Sequence, residues 1–321
     1  MRRIGRSAVG MTVGACVLAN ASLYACSSSE PVVLATRDSG VSVPDASVTA
    51  KDASTDTSGD RDPCVATAPP ICAPTASWDP PAAVFPSGIR HFAAVSPDEL
   101  HLAWYDLAGS DGGPLGVVRV ADRASVTEPF SDGAVLGQPV DANGAGVSPN
   151  GLSLAVTVAG RPALSVRPSL AAPFPGPSTV GIDFGDETAF RSPVVAPNEG
   201  LFLTQRFVAP GQLPFTFASK VGSRYVQDEL LIPNIELLST NANDLVPRPT
   251  GMSKDLRTLF FYDEAKKVER AAFRAGPGCA YTTVVDLGDR PGAQPNADCS
   301  ALYYAAPGAT GSDIVRVARK P

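Results

Sequence analysis

Histidine is nearly absent from this 321-residue chain, and long charged or helical stretches are missing too. Only His91 and His101 are present, which leaves little for an imidazole metal site or a serine–histidine relay. Charged residues make up 18% of the chain, and no basic run or stripe interrupts a net charge of −6. That argues against a nucleic-acid partner, which needs clustered Lys and Arg to displace counterions from phosphates. No G-x-S-x-G nucleophile elbow occurs: Gly146-Val147-Ser148-Pro149-Asn150 fails at its last position. Asp183-Phe184-Gly185 matches a kinase tripeptide but lacks the Gly-rich loop and catalytic-loop motif that would give it meaning. No long amphipathic helical window separates the apolar runs, which counts against βαβ topology; a short helix fits only residues 227–238. The chain is instead rich in 29 Gly and 31 Pro, the composition of turns between short strands.

The first residues are asymmetric. Met1-Arg2-Arg3-Ile4-Gly5-Arg6 is basic, and Ser7 to Ala25 is uncharged and mostly apolar, the pattern of an export signal. Leu23-Tyr24-Ala25-Cys26 then resembles the lipobox of bacterial lipoproteins, which implies cleavage before Cys26 and acylation of its thiol. Val13-Gly14-Ala15-Cys16 is a second match, but it would strand an apolar run in the mature chain. Residues 1–25 are therefore read as a lipoprotein signal peptide, whose removal takes the net charge from −6 to −9. Two or three acyl chains bury enough CH₂ groups, at about 0.8 kcal/mol each, for stable anchoring. Residues 26–75 are rich in Ser, Thr and Asp, with no aromatic residue between 27 and 62. Such a stretch cannot bury enough apolar surface to offset its ordering entropy and reads as a disordered tether.

Four cysteines remain beyond the lipobox: Cys64, Cys72, Cys279 and Cys299. An even number in an exported chain predicts two disulfides. Three connectivities are possible, and Cys64–Cys72 with Cys279–Cys299 closes the shortest loops. The spacings match no common zinc set.

Five times a polar turn precedes a strand with the same residue types at the same offsets. The copies start at Ser96-Pro97-Asp98-Glu99, Ser148-Pro149-Asn150-Gly151, Ala196-Pro197-Asn198-Glu199, Ser253-Lys254-Asp255-Leu256 and Asn296-Ala297-Asp298-Cys299, 43 to 57 residues apart. Ser-Pro-Asp/Asn-Gly is the recipe for a type I turn. Apolar residues then alternate, as at Leu102/Trp104, Leu154/Val156, Leu259/Phe261 and Leu302/Tyr304. A further strand follows each, and Val118-Arg119-Val120-Ala121 returns verbatim as Val315-Arg316-Val317-Ala318. Units of this length holding three or four strands are propeller blades. The turn-and-strand motif resembles the WD40-like repeat of TolB-type β-propellers over residues 76–321. Five such units read as an all-β, five-bladed propeller, with an incomplete six-bladed ring as the alternative, and the resemblance implies protein partners in the bacterial envelope. Pro81 to Phe85, a strand without a unit of its own, is expected to complete the last blade and close the ring.

Chemistry is harder to find. Carboxylates at the turns (Asp98, Asp255, Asp298) would be the acids of a glycoside hydrolase if they met at the channel, roughly 5 to 9.5 Å from each other. Two copies carry Asn there, so turn geometry is the better account. Asp106, Asp183 and Asp263 are the other acidic residues near strand ends, and both histidines read as structural or surface residues without a carboxylate partner. Trp78, Trp104, Phe202, Phe261 and Tyr304 read as packing residues. The expectation is a monomeric, non-enzymatic outer-membrane lipoprotein facing periplasm or exterior, without cofactor or metal, that binds an envelope protein or a glycan. The alternative is a polysaccharide-binding or glycoside-hydrolase-like propeller. Segments 109–114, 173–177 and 235–244 differ most between copies and are the expected recognition loops.

Overall fold

Turn chemistry sets the spacing of the strands, and the strands build a β-propeller. The computed structural model describes residues 64, 68–73, 76–85, 91–107, 115–136, 140–179, 190–205, 215–227, 247–264, 266–308 and 311–320. The signal peptide, Cys26, almost all of the tether, Asp183 and the loops 109–114 and 235–244 lie outside them, as does all but the first residue of 227–238. The described residues hold nineteen strands and no helix. After β1 (Ala82–Phe85) come β2 (His91–Val95), β3 (His101–Leu107), β4 (Leu115–Asp122) and β5 (Ala134–Val135). The second unit holds β6 (Val140–Val147), β7 (Ser153–Val158) and β8 (Arg161–Val166). The third holds β9 (Phe190–Val195), β10 (Leu201–Gln205), β11 (Phe215–Val221) and β12 (Arg224–Gln227). The fourth holds β13 (Arg248–Met252), β14 (Thr258–Asp263), β15 (Val268–Arg274) and β16 (Tyr281–Gly288). The last holds β17 (Gln294–Pro295), β18 (Ala301–Gly308) and β19 (Gly311–Ala318).

All pairings are antiparallel, and each turn copy joins the first strand of a unit to the second. The strands form four hydrogen-bonded sheets, not the five separate or six blades expected. Three are four-stranded: β9–β12, β13–β16, and β17-β18-β19 with β1 on its outer edge. The fourth has seven strands, because Leu115 and Gly116 of β4 pair with Asp141 and Val140 of β6 and fuse the first two units. As expected, Ala82 and Ala83 of β1 pair with Arg316 and Val315, so the first strand closes the last sheet.

The five turns share one geometry. The fourth residue's N–H donates to the first residue's carbonyl at 2.8 to 3.1 Å in every copy. Asp98, Asn150, Asn198, Asp255 and Asp298 each accept the N–H two residues on, at 3.0 to 3.2 Å. Ser96, Ser148 and Ser253 accept the N–H five residues on, at 3.0, 2.8 and 2.9 Å, and Asn296 does the same at 3.0 Å. The fourth residue is left-handed throughout, at φ of 55° to 66° for Glu99, Gly151, Glu199, Leu256 and Cys299. Only one copy uses glycine there. At Gly151 an added Cβ would lie 2.4 Å from the His101 ring, which Asp122 holds in place. Gly151→Ala should therefore lower stability by about 2–3 kcal/mol, through left-handed strain plus overpacking. Urea unfolding checks this, and a change below about 0.5 kcal/mol would contradict it.

Alternation turns one residue in two into the seams between units. Leu102, Trp104, Leu154, Val156, Leu259, Phe261 and Leu302 are fully buried, and Tyr304 nearly so. Each such side chain contributes roughly 1.5–3 kcal/mol relative to exposure. Five core clusters follow one another around the molecule, each spanning two consecutive units. The cluster holding Trp104 and Tyr303 joins the first unit to the last. Glu99 reinforces that joint: it accepts from Tyr303 Oη at 2.6 Å, Arg316 Nε at 2.9 Å and Asn296 Nδ2 at 2.9 Å. Burial opposes its charge, but those bonds outweigh it and hold the carboxyl below its usual range.

The cysteines pair across the molecule, against the short-loop expectation. Cys64 bonds to Cys279 and Cys72 to Cys299, with Cα atoms 5.5 and 5.2 Å apart. Loop length governs the unfolded chain; the folded chain decides which sulfurs meet. Because β1 lies against β19, the segment before it is delivered to the fourth and last units. Arg257 donates to the carbonyls of Ala68 at 2.7 Å and Pro69 at 3.3 Å, and Ile71 N–H donates to Asp255 at 3.1 Å. Half-buried Trp78 packs on the same cluster as Cys72 and bridges to Arg319. Two such disulfides suit an extracytoplasmic compartment.

Candidate functional site

The turn carboxylates do not converge on anything. Asp98, Asp255 and Asp298 are held by their own turns, and Asp255 also holds Ile71. Asp263 is buried and accepts from Arg270 at 3.2 Å and from the Lys266 N–H at 3.1 Å. Asp106 stands in β3 opposite Val117. His91 opens β2 opposite Tyr105.

His101 corrects the reading of a partnerless histidine. It is buried, with Nδ1 2.7 Å from Asp122 Oδ1 and Nε2 3.7 Å from Asp98. The cause is register: His101 and Asp122 face each other across β3 and β4. Arg167 then donates to both oxygens of Asp122 at 2.9 Å, a bidentate bridge between the first and second units. Burial would raise the Asp122 carboxyl, but the hydrogen bonds from His101 and Arg167 prevail and bring it down to about 2. Beside this bridge lies a groove of about 300 Å³, walled by Val135, Leu136, Leu170 and Phe174. Its charges are turned inward, for Arg167 also donates to the carbonyls of Gly151 and Leu170 and stacks on Phe174. The 173–177 loop is thus part of a joint between units.

The same arginine contact recurs. Arg123 and Arg274 donate to the carbonyls of Glu99 and Leu256 at 2.7 and 2.8 Å, as Arg167 does to Gly151. They stack on Phe130 and Tyr281, each seven residues on, as Arg167 does on Phe174. In the first, second and fourth units an arginine at or just past the end of the third strand is followed seven residues on by an aromatic one, a pattern visible in the sequence that marks scaffold.

The innermost strands enclose the channel, and they are irregular at one level. Pairing is interrupted between His91 and Ala94 in β2, Asp141 and Gly146 in β6, and Pro249 and Gly251 in β13; β9 is interrupted opposite Phe202 and Thr204. Such bulges re-aim side chains and backbone groups. Ser192 in β9 is left-handed at φ 52°, and Tyr105 Oη donates to the Gly144 carbonyl of the bulge in β6. Between these strands lies a void of about 30 Å³ lined by Gly144, Ser192, Arg248, Thr250, Gly292 and Gln294. Gln294 Oε1 accepts the Val95 N–H at 2.8 Å, which leaves its amide nitrogen as the donor end. Arg248 is held by Glu264 at 2.5 Å and lies over the Tyr262 ring.

Behind Thr250 stands a carboxyl that sequence reading passed over. Glu269 in β15 is fully buried, accepts from Thr250 Oγ1 and accepts the Gly292 N–H at 3.1 Å. Burial dominates and pushes it up to about 8, against those hydrogen bonds and the charge of Arg248. Its signal was parity: Glu269 alternates with Ala271 and Phe273, both core residues.

No family model matches the chain, and no curated protein matches it. Among solved structures, hydrazine synthase of Kuenenia stuttgartiensis is similar at 14% identity and TM-score 0.39, over 68% of this chain and 56% of that one. The chain thus spans little more than half of that protein's length. A TolB protein of Agrobacterium tumefaciens is similar at 12% identity and TM-score 0.38, over 69% and 71%. A periplasmic gluconolactonase of Pseudomonas aeruginosa is similar at 14% identity and TM-score 0.37, over 70% of each chain. These are likenesses of fold.

Proposed function

We propose that this chain is a non-enzymatic, monomeric envelope lipoprotein, acylated at Cys26 in the outer membrane, whose propeller serves as a binding scaffold for another envelope protein. The observation that supports it most is how the repeated polar residues are used. Every turn Asp or Asn is engaged by its own backbone, and the third-strand arginines bridge units or hold turns. The core clusters tie each unit to the next, and two of the units share the seven-stranded sheet. Recognition then falls to the loops joining the strands, as on other rigid β scaffolds.

Photo-crosslinking in envelope extracts tests the reading, with residues 235–244 replaced by a Gly/Ser linker as control. One envelope protein should be captured by the native chain and lost with the replacement. A glycan-array hit with no protein captured would overturn it in favour of polysaccharide binding. Acyl-chain labelling that persists in Cys26→Ala would refute Cys26 as the acylated residue.

A further inference from the structure

Thr250 has two neighbours that matter: Glu269 on one side and the channel void on the other. A threonine hydroxyl carries one hydrogen and two acceptor lone pairs, so what it shows the void depends on where that hydrogen points. An ionised Glu269 only accepts; Thr250 must then donate to it and turns lone pairs toward the void. A protonated Glu269 has an O–H of its own, which can donate to Thr250 Oγ1 and release the threonine hydrogen toward the void.

Much of the remaining lining is apolar, with Ala145, Pro193, Val194 and Pro249, and two long polar side chains reach it. Arg248 brings a guanidinium, and Gln294 has its carbonyl end committed to Val95. The void of about 30 Å³ holds roughly two waters, or the two oxygens of an acid head group. We propose that this void binds the head group of a small oxyanion, a carboxylate or a sulfate-like group, through Arg248, Gln294 and Thr250, with Glu269 as the positioning residue whose proton makes Thr250 a donor. Binding of the anion then draws one proton from solvent onto the Glu269 carboxylate.

The groups around Glu269 fit that coupling. From β13 comes Arg248, already held by Glu264 and laid over Tyr262. Burial first, and then the charges of Glu264 and Asp289, raise Tyr262, so the surroundings hold acidic groups as well as Arg248. Arg270, next in sequence, is bound to Asp263 and Asp286. Glu269 itself is pushed up by burial to about 8, which places its proton within reach of ordinary pH. The inference goes beyond the scaffold reading and involves none of the expected recognition loops, so either can fail alone.

Calorimetric titration of the full chain with sodium sulfate and sodium acetate, at about pH 6 and about pH 9, tests it. Neither ligand changes its own charge over that range, so any pH step belongs to the protein. Affinity should be about tenfold higher at the lower pH, the worth of one hydrogen bond to an anion. Runs in two buffers of different ionisation enthalpy should show close to one proton taken up at the higher pH. Glu269→Gln keeps a permanent N–H toward Thr250 and should bind at pH 9 as the native chain does at pH 6. Thr250→Val should weaken binding at pH 6 and abolish the step. Equal affinity at both pH values, no binding of either anion, or a pH step that survives Thr250→Val would overturn the proposal. Should Glu269→Gln not fold, the native titrations and Thr250→Val decide it.

Discussion

Replacing Cys72 and Cys299 together by alanine should lower the melting temperature by about 6–12 °C. With Cys64–Cys279 intact, the second bond closes roughly 28 residues, the arms 64–72 and 279–299. Chain-entropy accounting puts such a loop at about 3 kcal/mol, and a domain of this size shifts 2–4 °C per kcal/mol. Removing both bonds is far more severe. The remaining separations are 215 and 227 residues, and closing a loop that long restricts the unfolded chain by about 5 kcal/mol. The two losses together approach the whole stability of an ordinary domain. Circular dichroism melts of the native, singly and doubly depleted chains, with and without reductant, measure this. If the melting temperature stays within about 2 °C after the loss of both, the bonds merely pin a surface segment.

Stability should also fall as pH rises from about 5 to about 8, and Glu269 should be the cause. Burial pushes its folded-state carboxyl up to about 8, whereas the unfolded group has the ordinary value of 4.5. Between those values the folded chain holds a proton that the unfolded chain has lost, so stability is lost with rising pH through this window. The total is on the order of 5 kcal/mol, at 1.36 kcal/mol per pKa unit. Asp122 and Glu99 act in the opposite direction but lower on the scale. Their carboxyls are depressed by hydrogen bonds, so their contribution is present above the unfolded pKa and disappears as pH falls toward about 2 for Asp122. The two trends place the optimum near the unfolded pKa of carboxyl groups. Urea midpoints from about pH 4.5 to 9 should slope downward for the native chain, and Glu269→Gln should flatten the slope above pH 5. An unchanged slope in the variant would assign the pH dependence elsewhere.

What the sequence makes legible here is local. Ser96, Asn150 and Asp298 act within five residues of themselves, so their turn role can be read without a partner. The strand that closes the ring was equally readable, because an apolar run without a turn must complete another unit's sheet. Long-range register was hidden. Nothing near His101 announces Asp122, since their meeting depends on how β3 and β4 align. The fusion of the first two units rests on two residue pairs at the ends of β4 and β6, too short to leave a pattern. Cys64 and Cys72 were matched to each other by proximity in sequence, whereas the path of β1 carries them to different units. Glu269 is legible in another way: it shares parity with the core residues Ala271 and Phe273, and a lone acid among core positions marks a buried carboxyl.

The two disulfides also define how tension travels through the molecule. Chain order runs Cys64, Cys72, Trp78 and then β1, so any pull on the segment before Cys64 meets covalent bonds before it meets the closing strand. Load enters at Cys279 and Cys299, in the fourth and last units. The hydrogen bonds of Ala82 and Ala83 to the outer edge of β19 lie beyond that point and are shielded from the pull. A ring closed only by β1 would unzip one pair at a time when dragged by its N-terminus. Here the sulfur bridges act as strain relief.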